Sequence, residues 1–169
     1  MKTYEEMSRD ELRELLNRSW MTHDAMWFYH CVQAIGIEKT NPINRAAVKS
    51  MAQVEAKRIK KAIGFGEIKE FEHLRNFIEN GFKILRGEFM KFELSFPEKN
   101  RMHWENPRCF AYEGVKALGL IDAYECGIFD RACGWFEALG VPYEMKPAVR
   151  GCLMHFEGKC SVDFLFNFP

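Results

Sequence analysis

The chain has no excess of charge of either sign, because 24 lysines and arginines face 24 aspartates and glutamates. Without a net basic face it lacks what sequence-independent binding to nucleic acid or to an anionic membrane requires. The mildly basic run Lys57-Arg58-Ile59-Lys60-Lys61 reads as the solvated side of a helix. No apolar stretch approaches the ~20 residues that cross a bilayer. The segment from Met1 to Arg18 is charged throughout and has no apolar signal-peptide core. These absences predict a cytoplasmic protein that keeps its six cysteines as thiols. No two cysteines stand in a CxxC pair, so the usual signature of zinc ribbons and iron–sulfur sites is missing. Repeats, low-complexity tracts and linkers are absent too, which predicts one domain over residues 1–169 with a helical half to about residue 86.

What is present is a bulky core and two changes of period. Hydrophobic residues make up 47% of the chain, with 15 phenylalanines, enough for one well-buried core. Ser8-Arg9-Asp10-Glu11 is a capping box and predicts a helix through about Asn17. A second helix is predicted over Ser19–Ile35, closed by Gly36, and a third from Asn41-Pro42 to Ile63, with Asn41 as cap. Phe71, Leu74, Phe77, Ile78 and Phe82 recur at helical spacing and predict a fourth over Ile68–Leu85. The period then falls to two. Met90, Phe92, Leu94 and Phe96 alternate with polar residues as in a half-buried strand, and Arg101–Glu105 returns as its partner. Helices over Cys109–Leu118 and Glu125–Leu139 follow, then strands over Val141–Met145, Val149–Phe156 and Cys160–Phe168. The expected class is α+β, with N-terminal helices packed on a short antiparallel sheet.

Reactive side chains gather in two places. On the Ser19–Ile35 helix, Met21, Ala25, Phe28, Val32 and Ile35 form an apolar stripe expected in the core. Beside it run Trp20, His23, Trp27, His30 and Ala34, flanked by Asp24 and Cys31. Imidazoles interleaved with indoles suit a pocket wall, since imidazole binds metals and moves protons near neutral pH. The competing reading has both histidines hydrogen-bonded at the edge of the core. His23 and His30 are seven apart, whereas a helical zinc pair is four apart.

The second place is Gly151 to Cys160, where two cysteines and His155 surround a glycine turn. Two registers are open. A two-residue Glu157-Gly158 loop pairs His155 with Cys160 and puts Cys152 on the opposite face. A three-residue loop ending in Gly158 fits the turn chemistry better and pairs Met154 with Cys160 and Cys152 with Val162, putting both thiols on the buried face of Val162, Phe164, Phe166 and Phe168. Cys126, at a helix start, is the third wall and the candidate nucleophile, because a helix N-terminus lowers a thiol pKa. The competing reading treats these cysteines as small core hydrophobes, and Cys133 is expected to be one. Two weaker groups complete the set. His103, Trp104, Glu105 and Cys109 crowd a strand-to-helix join, and Asn41, Asn44 and Arg45 offer amides and a guanidinium.

The runs Tyr124-Glu125-Cys126-Gly127-Ile128-Phe129, Trp135 to Val141, Gly151-Cys152 and Gly158-Lys159-Cys160 resemble an uncharacterised prokaryotic cytosolic family. That family looks like a relative of the L-2-amino-thiazoline-4-carboxylic acid hydrolase-like group. The Cys-Gly helix start and the Cys…Gly-x-Cys ending are also similar to the 4-vinyl reductase small-molecule-binding domain. The resemblance spans about Met90 to Phe168. It implies the ligand-binding fold shared with haem nitric-oxide-sensing and TRAPP-type trafficking domains, with Cys126, Cys152 and Cys160 in the pocket or metal site.

Three functions follow as expectations. The first is a binding module for a small molecule or a metal ion such as zinc, with Cys126, Cys152, Cys160 and His155 as metal donors and His23, Trp27, His30, Trp104 and Cys109 lining the ligand site. The second is a hydrolase of a small carbon–nitrogen bond with Cys126 as nucleophile and His23, His30 or His155 as base. The third is an interaction protein that forms a homodimer through its long helices.

Overall fold

A computed structural model describes all residues from Met1 to Pro169. The capping box at Ser8 forms: Glu11 N–H donates to the Ser8 hydroxyl at 3.2 Å, and Ser8 N–H donates to the Glu11 carboxylate at 2.7 Å. The helix it opens, α1 (Arg9–Ile35), does not stop at Asn17. Neither Gly nor Pro interrupts Arg18-Ser19, so the two expected helices are one. Gly36 ends α1 with a positive φ of 80° that a side chain would resist.

Helix α2 (Ile37–Ala62) starts immediately, four residues before the expected cap. Asn41 therefore lies inside the helix and is buried. Pro42 is the sixth residue of α2, past the first turn, and its missing N–H leaves the Glu38 carbonyl without its intrahelical donor. Helix α3 (Phe71–Leu85) buries Phe71, Leu74, Phe77 and Ile78 as its spacing requires.

The C-terminal half runs β1 (Glu93–Ser95), β2 (Arg101–Asn106), α4 (Phe110–Ala117), a 3₁₀ turn (Ile121–Ala123), α5 (Ile128–Ala138), β3 (Tyr143–Lys146), α6 (Leu153–Phe156) and β4 (Cys160–Phe166). The strands form one antiparallel sheet in the order β1-β2-β4-β3. Its inner face carries Met102, Trp104, Val162, Phe164 and Phe166, packed against α3 and α5 residues including Leu74, Ile78, Phe129 and Phe136. The chain is thus α+β, with the bulky core between helices and sheet. No helix is long and apolar enough to cross a membrane.

The expected strand over Val149–Phe156 does not exist. Gly151 adopts φ 68°, and the chain then coils into α6, with Phe156 N–H bonded to the Cys152 carbonyl at 3.1 Å. The sheet leaves no room for that strand, because β2 and β3 occupy both edges of β4. None of the proposed pairs forms, His155 or Met154 with Cys160 or Cys152 with Val162: Cys160 lies opposite Asn106, and Val162 opposite Trp104.

Helix α5 is pressed hard onto α2. A Cβ added at Gly134 would lie 2.8 Å from the Lys49 carbonyl oxygen, so only glycine admits this approach. Arg131 and the Trp135 indole both donate to the Glu55 carboxylate, at 2.7–3.0 Å and 2.9 Å, and Arg45 joins α2 to Asp130 at 2.8 Å.

Candidate functional site

Four thiols share one corner of the molecule, close enough that each of the strongly buried ones is made harder to ionise by charge on its neighbours. Three of them sit where helices begin. Cys109 caps α4 and accepts from Tyr112 N–H at 3.5 Å. Cys126 precedes α5, its sulfur accepting from Ile128 N–H and its own N–H reaching the Gly151 carbonyl at 3.4 Å. Cys152 is the N-cap of α6 and is buried against Phe28, Val32, Ile121 and Tyr124. Cys160, the first residue of β4, completes the group.

Burial sets the chemistry of these thiols. It pushes Cys126 and Cys160 up to about 12, and raises Cys109 as well. The expectation of a lowered pKa at Cys126 is therefore overturned: one N–H from the start of α5 favours the thiolate, and loss of solvent outweighs it. The phenol of Tyr124, hydrogen-bonded to Cys126, is likewise raised well above its usual value by burial. At neutral pH these groups are protonated.

The segment carrying Cys126 is fixed from α2. Asn41 Nδ2 donates to the Ala123 carbonyl at 2.7 Å, and its Oδ1 accepts from Glu125 N–H at 3.2 Å. One turn on, Arg45 pairs with Glu125 at 2.8 Å and with Asp130. Asn41 is a clamp across the fold, not the helix cap its place beside Pro42 suggested. A cavity of about 50 Å³ opens beside Cys126, bordered by Arg45, Phe129, Asp130, Cys133, Met145 and Val149.

One donor escaped the sequence reading. Asn106 ends β2 on the inward alternation of Met102 and Trp104, opposite Cys160, and its buried Oδ1 has no hydrogen-bond partner. Continuing that period-two pattern by one more residue would have flagged a polar side chain aimed inward. The Trp104 Nε1 is also without a partner, while its ring is fully buried, stacked on Phe92 at 4.3 Å. Trp104 is core.

Several expected site residues lie elsewhere. His23 and Trp27 are 76% and 66% exposed, and His30 is exposed, so this side of α1 is not a pocket wall. The apolar stripe is only partly covered as well, with Phe28 and Val32 buried but Ala25 and Ile35 exposed. His155 turns to Asp122 at 2.9 Å rather than toward the thiols. No three His, Cys, Asp or Glu side chains stand in an arrangement that holds a metal ion, so the expected donor set is not preassembled.

His103, on the outer sheet face, hydrogen-bonds Asp163 at 2.8 Å and Ser161 at 3.4 Å. Arg101 takes both Asp163 oxygens, at 2.9 and 3.0 Å, and holds that carboxyl below its usual range. With Asp163 bound by a guanidinium and the strand N–H groups of β4 committed to the ladder, this set reads as a cross-strand polar cluster.

A family model described as a family of unknown function, DUF6125, matches residues 5–101, more than half of the chain. No curated protein and no solved structure matches it. The matched segment holds α1, α2, α3 and β1, and the four thiols lie beyond it. The chain belongs to the DUF6125 family.

Proposed function

We propose that this member of the family is a binding module for a thiophilic metal ion such as zinc, taken up among Cys109, Cys126, Cys152 and Cys160 with Asn106 Oδ1 as an oxygen donor. The observation that carries the reading is that four thiols from three helix starts and a strand start lie near one another, with an orphaned amide oxygen opposite Cys160. Sulfur donors with one oxygen suit a borderline-soft cation.

The cavity on the Arg45 side of Cys126 is about 50 Å³ and is not lined by the other three thiols; it is far below the roughly 300 Å³ of an organic-ligand cleft. An ion held by the four thiols would displace their protons, and the N–H groups that already face Cys109 and Cys126 would stabilise thiolates. Binding turns the thiols toward one another, since no three are grouped beforehand. The hydrolase reading has less support. Its nucleophile would be a thiol with a pKa of about 12, and none of His23, His30 and His155 faces it as a base.

Competition of the reduced protein with a chromogenic zinc chelator tests the proposal. About one zinc should bind per chain, weakened about ten-fold or more in Cys152→Ser and in Cys160→Ser. Equal zinc affinity in the wild type and both variants would overturn it.

A second reading concerns assembly. Leu15, Met26 and Trp27 are exposed within about a third of the circumference of α1, a run of large apolar side chains in water. A homodimer that covers this face would show a concentration-dependent mass in sedimentation, abolished by Trp27→Lys. A monomer at every concentration would remove the reading.

A further inference from the structure

Away from the thiols, a groove opens between the first half of α1, the end of α2 and the second half of α3. Its volume is about 850 Å³, within the range of small-ligand clefts. The apolar part of its lining is Leu12, Leu16, Ile63, Phe65 and Ile84. Three cations, Arg9, Arg13 and Lys83, share it, and no carboxylate lines it. In a chain whose charges balance overall, this is a local positive excess beside an apolar floor.

Arg13 narrows the chemistry. Its Nη1 donates to the Lys83 carbonyl at 3.1 Å, and its Nη2 pairs with Asp10 at 2.9 Å. Its Nε is buried and has no acceptor. A buried donor without a partner is unfavourable, and an oxygen supplied from outside the chain would relieve it. Two of its five N–H groups are committed, so the unmet Nε and the N–H left on each Nη can meet carboxylate oxygens. The ammonium of Lys83, whose main chain Arg13 already holds, pairs with no carboxylate and stands ready for a second oxygen. Beyond the cations and the amides of Asn17 and Asn80 the lining is aliphatic and aromatic, which calls for a hydrocarbon tail.

We infer that this groove binds a carboxylate carrying a single alkyl chain, a free medium-chain fatty acid, with its head at Arg13 and Lys83 and its tail along Leu12, Leu16 and Ile84. An acidic peptide would bring several separated carboxylates and backbone amides to a site whose cations flank an apolar floor. Charge complementarity with Arg13 and Lys83 and that floor favour the monocarboxylate.

The test is a titration of the full chain with decanoate below its micelle concentration, followed by amide chemical shifts. Hexanoate, decylamine and an acidic helical peptide serve as comparison ligands. Decanoate should saturate with shifts confined to α1, α3 and the end of α2, hexanoate should bind at least five-fold more weakly, and decylamine and the peptide should not saturate. Lys83→Glu, an exposed position, should weaken decanoate at least five-fold, and Arg13→Gln should do the same. The inference is overturned if decanoate fails to bind, if decylamine or the peptide binds as tightly, if the shifts fall outside the groove, or if Lys83→Glu leaves the affinity unchanged.

Discussion

The histidine and tryptophan face of α1 and the cysteine corner carry comparable densities of reactive side chains, yet they meet opposite fates. Helix α1 is covered mainly along the side that carries Phe28 and Val32, so His23, Trp27 and His30 point into solvent. The cysteines lie where three helices and a strand begin, and a crowd of chain starts near a core edge excludes water. Buried thiols become weak acids that feel one another, and the proposed function has an ion replace their protons.

Mutations can break or sharpen that contrast. Phe164→Ala, in the fully buried sheet core, should cost about 3–5 kcal/mol in denaturant unfolding. Glu55→Ala, which strands the Arg131 guanidinium and the Trp135 indole, should cost about 3 kcal/mol by the same measurement. Asn41→Ala should cost about 2 kcal/mol, because it leaves the Ala123 carbonyl and the Glu125 N–H unmet. It should also speed alkylation of Cys126, since the clamp fixes that segment.

The thiols add a pH dependence of known sign. Their folded pKa values lie above the unfolded ones, so they cost nothing below the unfolded thiol pKa, and stability is lost as pH rises from about 9 toward about 12. Each thiol should contribute a slope of about 1.4 kcal/mol per pH unit there, and Cys126→Ala should reduce the slope. At the small end, Trp27→Ala should change the stability of the monomer by no more than ~0.5 kcal/mol. If Trp27→Ala instead cost as much as Phe164→Ala, the exposed face of α1 would be covered, and the contrast would fail.

Much of the fold was legible because its elements repeat a pattern. Cys160, Val162, Phe164 and Phe166 alternate inward along β4 as their period requires, and the apolar spacing of α3 marks its buried side. The failures come where local signals compete with long-range ones. Ser8 and Glu11 fix where α1 begins, but nothing local distinguishes a second start at Ser19 from an exposed serine inside one long helix. Val149 to Phe156 reads as a strand until β3 is seen to occupy the edge of β4 it would need. Asn41 before Pro42 has the form of a cap, and only the approach of Ala123 and Glu125 makes it a clamp. In the site, the sequence joined Cys126, Cys152 and Cys160 but set Cys109 in a separate group, and His155, expected among the donors, pairs with Asp122 instead. Whether a thiol is activated or suppressed depends on desolvation, which a helix start alone does not reveal.

The most direct measurement is a titration of the fully reduced protein with Cd²⁺, read by thiolate-to-metal charge-transfer absorption in the ultraviolet. The account predicts a band that saturates near one ion per chain, releases protons as it grows, and loses most of its intensity in a Cys126→Ser, Cys160→Ser double variant. A band that is absent, or that is unchanged in that variant, would contradict it.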